Sequence, residues 1–289
     1  MHKYNRSPVG DFVIVVFFVI LILVCILPVM NVFARSMSAP EALIRNEVGV
    51  WPIGLNFDAF RMVWADAKYP RSLIWTAILT IIYTVVSLVL TIMCAFPFVY
   101  KNLKGRKAIN LALIFTMYFS AGTIPNFLLM RSLGLIDNPL VLILPGALSV
   151  FNFLLMRSFF YGIPDSLRES GEIDGAGPIK VLLNIYLPLS KASLATIALF
   201  YAVGRWNGYG DALIYLRRAS EWFPIQLLLY NIQQGLQAVD TIMDSGLAVG
   251  MAESARTATI VIATIPILCV YPFLQKYFVA GVTLGSIKE

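Results

Sequence analysis

The chain is poor in the side chains that most catalytic and metal sites require. Its 289 residues include one histidine, His2, and three cysteines, Cys25, Cys94 and Cys269, which all lie within apolar runs. Cysteines in such runs are usually small core residues and do not form disulfides or bind metals. We therefore expect no metal site and no histidine-based catalytic group. Since no nucleophile–base pair is apparent either, the chain is not expected to be an enzyme.

A nucleotide-phosphate loop is also missing from the sequence. No Gly-x-x-x-x-Gly-Lys pattern, the loop whose backbone cradles nucleotide phosphates, occurs anywhere in the chain. This chain is therefore expected to need no cofactor of its own. If its activity uses ATP and magnesium, both belong to an ATPase in another chain.

Charged residues are scarce, and apolar residues take their place. Only 13% of the residues are charged, 59% are hydrophobic, and the mean hydropathy is +0.79. A soluble domain cannot bury that much apolar surface, so the composition predicts an integral membrane protein surrounded by lipid. The net charge of +6 is expected in the cytoplasmic loops of such a protein, so no nucleic-acid partner is needed to explain it.

Long uncharged runs predict an all-α membrane protein with six transmembrane helices. A helix needs about 20 predominantly apolar residues to cross a bilayer. The predicted helices cover residues 12–34, 72–100, 108–130, 139–161, 191–216 and 257–275. The third is interrupted near its outer end by Gly122-Thr-Ile-Pro125, where we expect a kink. Residues 222–239 are uncharged but rich in glutamine, so we interpret them as a re-entrant or outer amphipathic segment.

The basic residues orient these helices. Lys101, Lys104, Arg106 and Lys107 form the densest basic cluster of the chain, and such clusters lie on the cytoplasmic side. Six helices then place both termini and the polar loop 163–190 in the cytoplasm. The sequence thus predicts a multi-pass protein of the cytoplasmic (inner) membrane.

Loop 163–190 contains the longest polar, turn-rich interruption between apolar helices on the predicted cytoplasmic side. Asp165, Glu169 and Glu172 place negative charge in early helical turns, where the helix dipole favours it, and Asp174-Gly175 ends the helix. We predict a short helix that is too polar to span and that docks against another protein. A solvated connector is the alternative interpretation. The small residues that would allow close approach are Ser170, Gly171, Gly175 and Ala176.

The spacing in this loop resembles a known motif. Glu169-Ser170-Gly171, three residues, Gly175, nine residues and Ile185-Tyr186-Leu187-Pro188 are similar to the "EAA" loop of permeases in binding-protein-dependent ABC importers. That pattern is Glu-Ala-Ala, three residues, Gly, nine residues, Ile-x-Leu-Pro. Residues 273–288, with 122–125 and 206–216, resemble the smaller permease of the maltose transporter and its oligosaccharide-importer relatives. The chain departs from the motif at Ser170 and Gly171, although both are small.

The resemblance implies the ABC type I importer permease fold and a function. The chain would carry carbohydrate, expected to be oligosaccharide, across the cytoplasmic membrane with a second homologous permease, two ATPase subunits and an extracytoplasmic solute-binding protein. Residues 1–70 would form the N-terminal tail, the first transmembrane helix and an extracytoplasmic loop, and 71–289 the permease core with five transmembrane helices and the cytoplasmic coupling loop 163–190. The ATPase-coupling residues carried over are Arg168, Glu169, Ser170, Gly171, Asp174, Gly175, Ala176, Leu187 and Pro188.

Two charged residues inside the predicted fifth helix need an explanation, because a charge at the bilayer centre costs about 2.5–3.5 kcal/mol on insertion scales. Either Arg205 and Asp211 line the sugar pathway, or one of them pairs with the partner permease or another helix and only fixes packing. Both interpretations stay open. The predicted substrate-pathway residues are Arg205, Trp206, Asn207, Tyr209, Asp211 and Asn152.

Two other functions remain as alternatives. The same importer architecture could carry a non-sugar solute, such as a glycerophosphodiester, a polyamine or a peptide. A secondary carrier or channel without ATP would need coupling carboxylates within the membrane and repeated broken helices, and the sequence shows neither. An intramembrane enzyme is the least favoured alternative.

Overall fold

A computed structural model describes the backbone of residues 8–242 and 246–285, and the side chains of 10–235 and 250–269. Every regular element within those ranges is helical. The α-helices are α1 Pro8–Ser36, α2 Pro40–Ile44, α3 Asp58–Ala65, α4 Lys68–Ala95, α5 Arg106–Tyr118, α6 Thr123–Ser132, α7 Val150–Tyr161, α8 Asp165–Ile173, α9 Pro178–Val181, α10 Leu187–Leu189, α11 Lys191–Asn207, α12 Gly210–Tyr215, α13 Ile225–Ile242 and α14 Gly246–Gly285.

Three helical stretches in the described part of the chain are long and apolar enough to cross a membrane. They are Gly10–Ser36, Lys68–Val99 and Gly250–Cys269. Two bent pairs, α5 with α6 and the stretch Pro178–Leu189 with α11, raise the number to five if each pair counts as one span. The predicted all-α class is confirmed, whereas the count of six transmembrane helices remains a prediction.

The predicted third helix is broken far more sharply than a kink. α5 ends at Tyr118, and α6 begins at Thr123 at an angle of 113° to it. Gly122 before α6 has φ +93°, a conformation that residues with a Cβ rarely adopt. Glycine at this position therefore allows the chain to change direction between the two helices.

The predicted fourth and fifth helices are not continuous. The segment 139–161 begins with a 3₁₀ turn at Pro139–Leu142 and becomes α-helical only at Val150, where the Ser149 side chain accepts a hydrogen bond from the Asn152 N–H. The segment 191–216 is divided at Gly208 into α11 and α12. The glutamine-rich segment forms α13, and predictions that depend on residues 273–288 lie outside the described side chains.

The chain divides into two compact units, and the first comprises residues 1–69 and 229–265. Within it, an ion pair of 3.1 Å joins Arg35 to Glu253, and Ala59 and Val63 of α3 pack with Ala258 of α14. α1 exposes nearly all its apolar side chains, including Cys25, which is exposed and not in a core as predicted. Such a surface suits contact with lipid.

The second unit comprises residues 70–228 and 266–289 and contains the larger core. Buried residues of the turn Phe96–Val99 pack with α7, with the stretch 181–186 and with α11. Cys94 is half-buried beside this core, whereas Cys269 is exposed, against the prediction for it. This aromatic core lies directly beside α8.

Candidate functional site

α8 is a separate two-turn helix that ends in a specific C-terminal cap. The Ala176 N–H donates to the Gly171 carbonyl at 2.9 Å, and the Gly175 N–H donates to the Glu172 carbonyl at 3.1 Å. Gly175 has φ +79°, the left-handed conformation that this cap requires. The structure therefore explains why the motif has glycine at this position: Gly175 ends the helix and turns the chain towards α9.

Arg168 holds α8 from its inner side. Its side chain is only 14% exposed, forms ion pairs with Glu172 at 3.0 Å and Glu169 at 3.3 Å, and lies 5.2 Å from the centre of the Tyr100 ring. Burial raises the pKa of the Tyr100 hydroxyl, which keeps it neutral beside the guanidinium. Arg168 therefore fixes the helix on its support and does not point outward.

A second contact anchors the start of α8. The Lys101 ammonium lies 2.6 Å from the Asp165 carboxylate, and its hydrogen bond and charge lower the pKa of that carboxyl. Lys101 belongs to the basic loop after α4. The contact therefore places the basic loop and α8 side by side.

The outer side of α8 combines one acid with apolar side chains. The Glu169 side chain is 61% exposed, Ser170 is exposed, and Ile173 is 86% exposed. Glu169 and Ile173 are four residues apart and share one side of the helix. Leu167 on α8 and Ile179 on α9 are exposed as well. The sequence analysis missed these three apolar residues, although the helical spacing from Glu169 points to Ile173.

Gly171 and the residues after α8 make the packed side of the loop. A Cβ on Gly171 would lie 2.8 Å from the Ile185 Cδ1 atom, so α8 approaches the stretch 181–185 closely. Ala176 packs against the aromatic core, and Leu187 is half-buried. Asp174 and Pro188 are exposed. The predicted coupling residues thus lie on both sides of one compact loop.

Tyr186 connects this loop to the core. It is fully buried, and its ring lies 5.4 Å from both Phe96 and Phe160 in edge-on geometry. Such aromatic pairs contribute about 0.5–1.5 kcal/mol each beyond burial. They join the stretch 182–186, a single π-helical turn, to α7 and to the turn after α4.

Arg205 and Asp211 meet across the break between α11 and α12. Two hydrogen bonds of 2.5 and 2.9 Å join the guanidinium to the carboxylate, and Arg205 also donates to the carbonyls of Leu142 and Gly208. Arg205 is 6% exposed, and its guanidinium lies 5.6 Å from the centre of the Tyr83 ring. Of the two interpretations left open by the sequence, this geometry favours the structural one, and the two residues pair with each other.

A comparison with known families decides the class of the protein. Residues 72–284 match the family described as "binding-protein-dependent transport system inner membrane component". The chain belongs to this family. Membership confirms the resemblance seen in loop 163–190, makes the chain a transporter subunit and not an enzyme, and implies an ATPase and a binding protein as partners. An ATP-independent carrier does not fit this family.

Individual relatives align along the whole permease. The polygalacturonan/rhamnogalacturonan transport system permease protein YtcP of Bacillus subtilis is 40% identical over 98% of this chain and 99% of its own length. Protein LplC of the same organism is 38% identical over 100% of this chain and 98% of its own length. The crystal structure of a bacterial ABC transporter involved in the import of the acidic polysaccharide alginate superposes with a TM-score of 0.84, at 34% identity, and covers 96% of this chain and 100% of that one.

The permease does not gather all its predicted pathway residues in one place. Trp206 is buried and lines an apolar cavity of about 610 Å³ between α4, α11 and residues 266–267. Asn207 and Tyr209 are exposed at the helix break, beside the Arg205 pair. Asn152 is buried near the start of α7.

The sequence analysis also missed a polar connection inside the permease core. The hydroxyls of Thr91 and Tyr201 lie 2.7 Å apart, and the Tyr201 hydroxyl accepts a hydrogen bond of 3.0 Å from the Ser149 N–H. The connection joins α4, α7 and α11. A threonine and a tyrosine within apolar runs give no sequence signal that distinguishes them from ordinary packing.

Proposed function

We propose that this chain is one of two homologous permeases in an ATP-driven importer of carbohydrate, with oligosaccharide as the substrate class. Two ATPase subunits would use ATP and magnesium, and an extracytoplasmic binding protein would deliver the sugar. The polysaccharide named for YtcP and the alginate named for the aligned structure support a saccharide cargo. The near full-length alignment at 34–40% identity supports an equivalent place in the complex.

The geometry of α8 is the observation that carries the coupling role. Its exposed side, with Glu169, Ser170 and Ile173, would enter a groove on the ATPase. Its packed side, with Arg168 and Gly171, transfers any displacement into the aromatic core. ATP-driven closure of the ATPase pair would then move α7 and α11 as a rigid body and alternate access between the two membrane faces.

The proposed orientation places the ATPase side in the cytoplasm. The basic loop 101–107 and α8 would lie inside with both chain termini, while residues 35–71, 131–138 and 217–221 would lie outside. Residues 1–70 would add a first helix and an outer loop to the permease core 71–289. The positive-inside rule and the contact between Lys101 and Asp165 support this arrangement.

For the pathway, we assign Arg205 and Asp211 to packing and the residues around them to the sugar. Asn207 and Tyr209 offer a hydrogen-bonding amide and an aromatic ring at an exposed helix break, and Trp206 and Asn152 lie on the neighbouring elements. Asn207→Ala or Trp206→Ala should reduce uptake while the ATPase still binds. Uptake at the wild-type rate in both variants would mean that this segment only packs and does not contact the sugar.

The experiment that tests the whole proposal is the isolation of the native complex. The permease would be solubilised in detergent from its host and captured, and the proteins retained with it identified by mass spectrometry. A second permease, an ATPase and a solute-binding protein are expected, and binding assays on the last would identify the sugar. Recovery of the chain alone, or as a homo-oligomer without an ATPase, would overturn the proposal.

A further inference from the structure

A cavity lined by three arginines lies on the second unit, away from α8. It has a volume of about 580 Å³ and is bounded by α6 and by the turns before the 3₁₀ segment 139–142 and after α12. We call it the arginine cavity. Its lining residues are Phe127, Arg131, Ile136, Asp137, Arg217 and Arg218.

The cavity contains one carboxylate, that of Asp137, and this carboxylate already accepts hydrogen bonds from the backbone. One of its oxygens accepts hydrogen bonds from the N–H groups of Arg217 at 2.6 Å, Arg218 at 2.8 Å and Ala219 at 3.4 Å. The bond from the Arg218 N–H is the largest cause that lowers the pKa of this carboxyl, so it stays ionised. Asp137 therefore holds the turn 217–219 in place and is committed to the backbone.

The charge of Arg218 also acts on Asp137, but not through a close ion pair. Among the described residues, no ion pair within 4 Å joins Arg131, Arg217 or Arg218 to a carboxylate. All three side chains are exposed. With one ionised Asp137, the lining keeps an excess of positive charge. In the proposed orientation this excess lies outside, where the positive-inside rule does not account for arginine.

One wall of the cavity is aromatic and well supported. The Phe127 ring stacks on Tyr215 at 6.2 Å between centroids, with an angle of 13° between the planes. The Asp137 N–H also donates to the Tyr215 carbonyl at 3.0 Å, which ties the two turns together. A flat apolar face beside forked cationic donors suits a ligand that carries both a ring and a carboxylate.

We propose that the arginine cavity binds the carboxylates of a uronate-bearing oligosaccharide at the outer mouth of the permease. The inference rests on the proposed function, since it needs an oligosaccharide importer with these turns outside. The concave shape favours a small ligand over an acidic patch of the binding protein. Acidic saccharides are also the cargo named for two relatives, polygalacturonan for YtcP and alginate for the aligned transporter.

The test measures binding to the assembled complex of both permeases and the ATPases in nanodiscs, without the binding protein. Equilibrium dialysis with labelled trigalacturonate would compare wild type with the double variant Arg217→Gln/Arg218→Gln and with Arg131→Gln. The matched control is Arg61→Gln, which removes an arginine that is 82% exposed in the other unit. The neutral probe is galactotriose, which has the same sugar rings without the carboxylates.

The double variant should raise the Kd for trigalacturonate about tenfold or more, because hydrogen bonds to charged groups are lost, while Arg61→Gln leaves it unchanged. The wild-type Kd should rise with salt, and galactotriose should bind more weakly and equally to all variants. Equal trigalacturonate binding by wild type and the double variant would overturn the inference. Equally tight binding of galactotriose by wild type would overturn it as well.

A separate measurement isolates the proposed function. ATP-dependent uptake of neutral oligosaccharides by the complete wild-type importer, without trigalacturonate binding, would overturn this inference alone. A complete importer that takes up no oligosaccharide would overturn the proposed function instead.

Discussion

Arg205 illustrates how one residue can stabilise a break between two helices. Its guanidinium donates to Asp211, to the Leu142 carbonyl and to the Gly208 carbonyl, so the charge is paired inside the protein. Only its buried Nε–H has no hydrogen-bond partner among the described residues. Arg205→Met keeps part of the aliphatic stem but removes the hydrogen bonds that the guanidinium donates to these acceptors. We expect the free energy of unfolding to fall by about 1–3 kcal/mol, measured as a lower thermal midpoint of the purified complex.

A double-mutant cycle separates this pair from ordinary packing. Asp211→Asn combined with Arg205→Met should cost less than the sum of the two single changes, since each partner alone strands the other. The exposed pair of Arg61 and Asp58 serves as the control, and its coupling should be near zero. Strictly additive effects at Arg205 and Asp211 would contradict the structural pair.

Gly171 is one of the two residues at which the chain departs from the alanines of the resembled motif. A Cβ there would meet the end of the flexible Ile185 side chain at 2.8 Å, so Ile185 has to move. Alanine also favours the helix by about 1 kcal/mol relative to glycine. Gly171→Ala combined with Ile185→Val, which removes the contacting Cδ1 atom, should therefore be at least as stable as wild type.

Limited proteolysis of the loop in the purified complex would check this prediction. Gly171→Ala alone should show little change, and Gly171→Ala/Ile185→Val should show slower cleavage. Faster cleavage of the double variant than of wild type would mean that α8 needs glycine for another reason. Gly175→Ala is the matched comparison and should speed cleavage, because φ is +79° at that position.

At the residue scale, the sequence predicts backbone conformation better than it predicts which way a side chain points. Gly175 can be assigned to the end of a helix because its neighbours form a short polar helix and glycine tolerates positive φ. The inward direction of Arg168 and the exposure of Ile173 depend on which side of α8 meets Tyr100 and Ile185. That choice is made by tertiary packing, which local composition does not encode.

At the scale of the element, α8 acts through its exposed side. Glu169→Lys reverses a charge that is 61% exposed and faces away from the core. We expect substrate-stimulated ATPase activity and uptake to be lost while membrane insertion and assembly of the two permeases persist. Assays of ATPase activity in proteoliposomes, with blue-native electrophoresis for assembly, would measure this.

The control for this change is another charge reversal on an exposed carboxylate. Glu41→Lys on α2 changes the net charge by the same amount in the other unit and should leave coupling at the wild-type level. Normal stimulated ATPase activity in an assembled Glu169→Lys complex would refute the coupling role of this side of α8.

Ile173 gives an independent test of the same surface, because it carries no charge. Burial of an isoleucine side chain in a groove contributes about 1.5–3 kcal/mol, so Ile173→Ser should weaken ATPase binding roughly tenfold or more. Surface plasmon resonance of the ATPase on the captured permease pair would measure the affinity. Leu144→Ser, at a residue exposed before α7, is the control, and an equal loss in both would mean nonspecific adhesion.

The helices themselves show where hydropathy fails as a guide. The predicted helices 139–161 and 191–216 have suitable composition, yet both are interrupted. At the breaks, side chains supply backbone partners. The Ser149 hydroxyl accepts a hydrogen bond from the Asn152 N–H, and Arg205 donates one to the Gly208 carbonyl. Hydropathy counts apolar residues and gives no information on side-chain hydrogen bonds that replace backbone ones. The uninterrupted helix α1, by contrast, is predicted well from the length of its apolar run alone.

At the scale of the whole molecule, one contact fixes which loops share a membrane face. In the proposed orientation, the basic loop 101–107 lies inside, as the positive-inside rule predicts. Because Lys101 pairs with Asp165 at 2.6 Å, α8 has to lie on the same side as that loop. Because the apolar helix α11 separates the turn after α12 from α8, the proposed orientation puts Ser220 on the opposite side.

Labelling of single cysteines tests this topology directly. In a background with Cys25, Cys94 and Cys269 replaced by serine, Ser170→Cys and Ser220→Cys each introduce one thiol at an exposed position. A membrane-impermeant maleimide should label Ser220→Cys in intact right-side-out vesicles, and Ser170→Cys only after permeabilisation. Labelling of Ser170→Cys in intact vesicles would reverse the orientation, move α8 away from any cytoplasmic ATPase and place the arginine cavity inside, so both functional proposals would fail together.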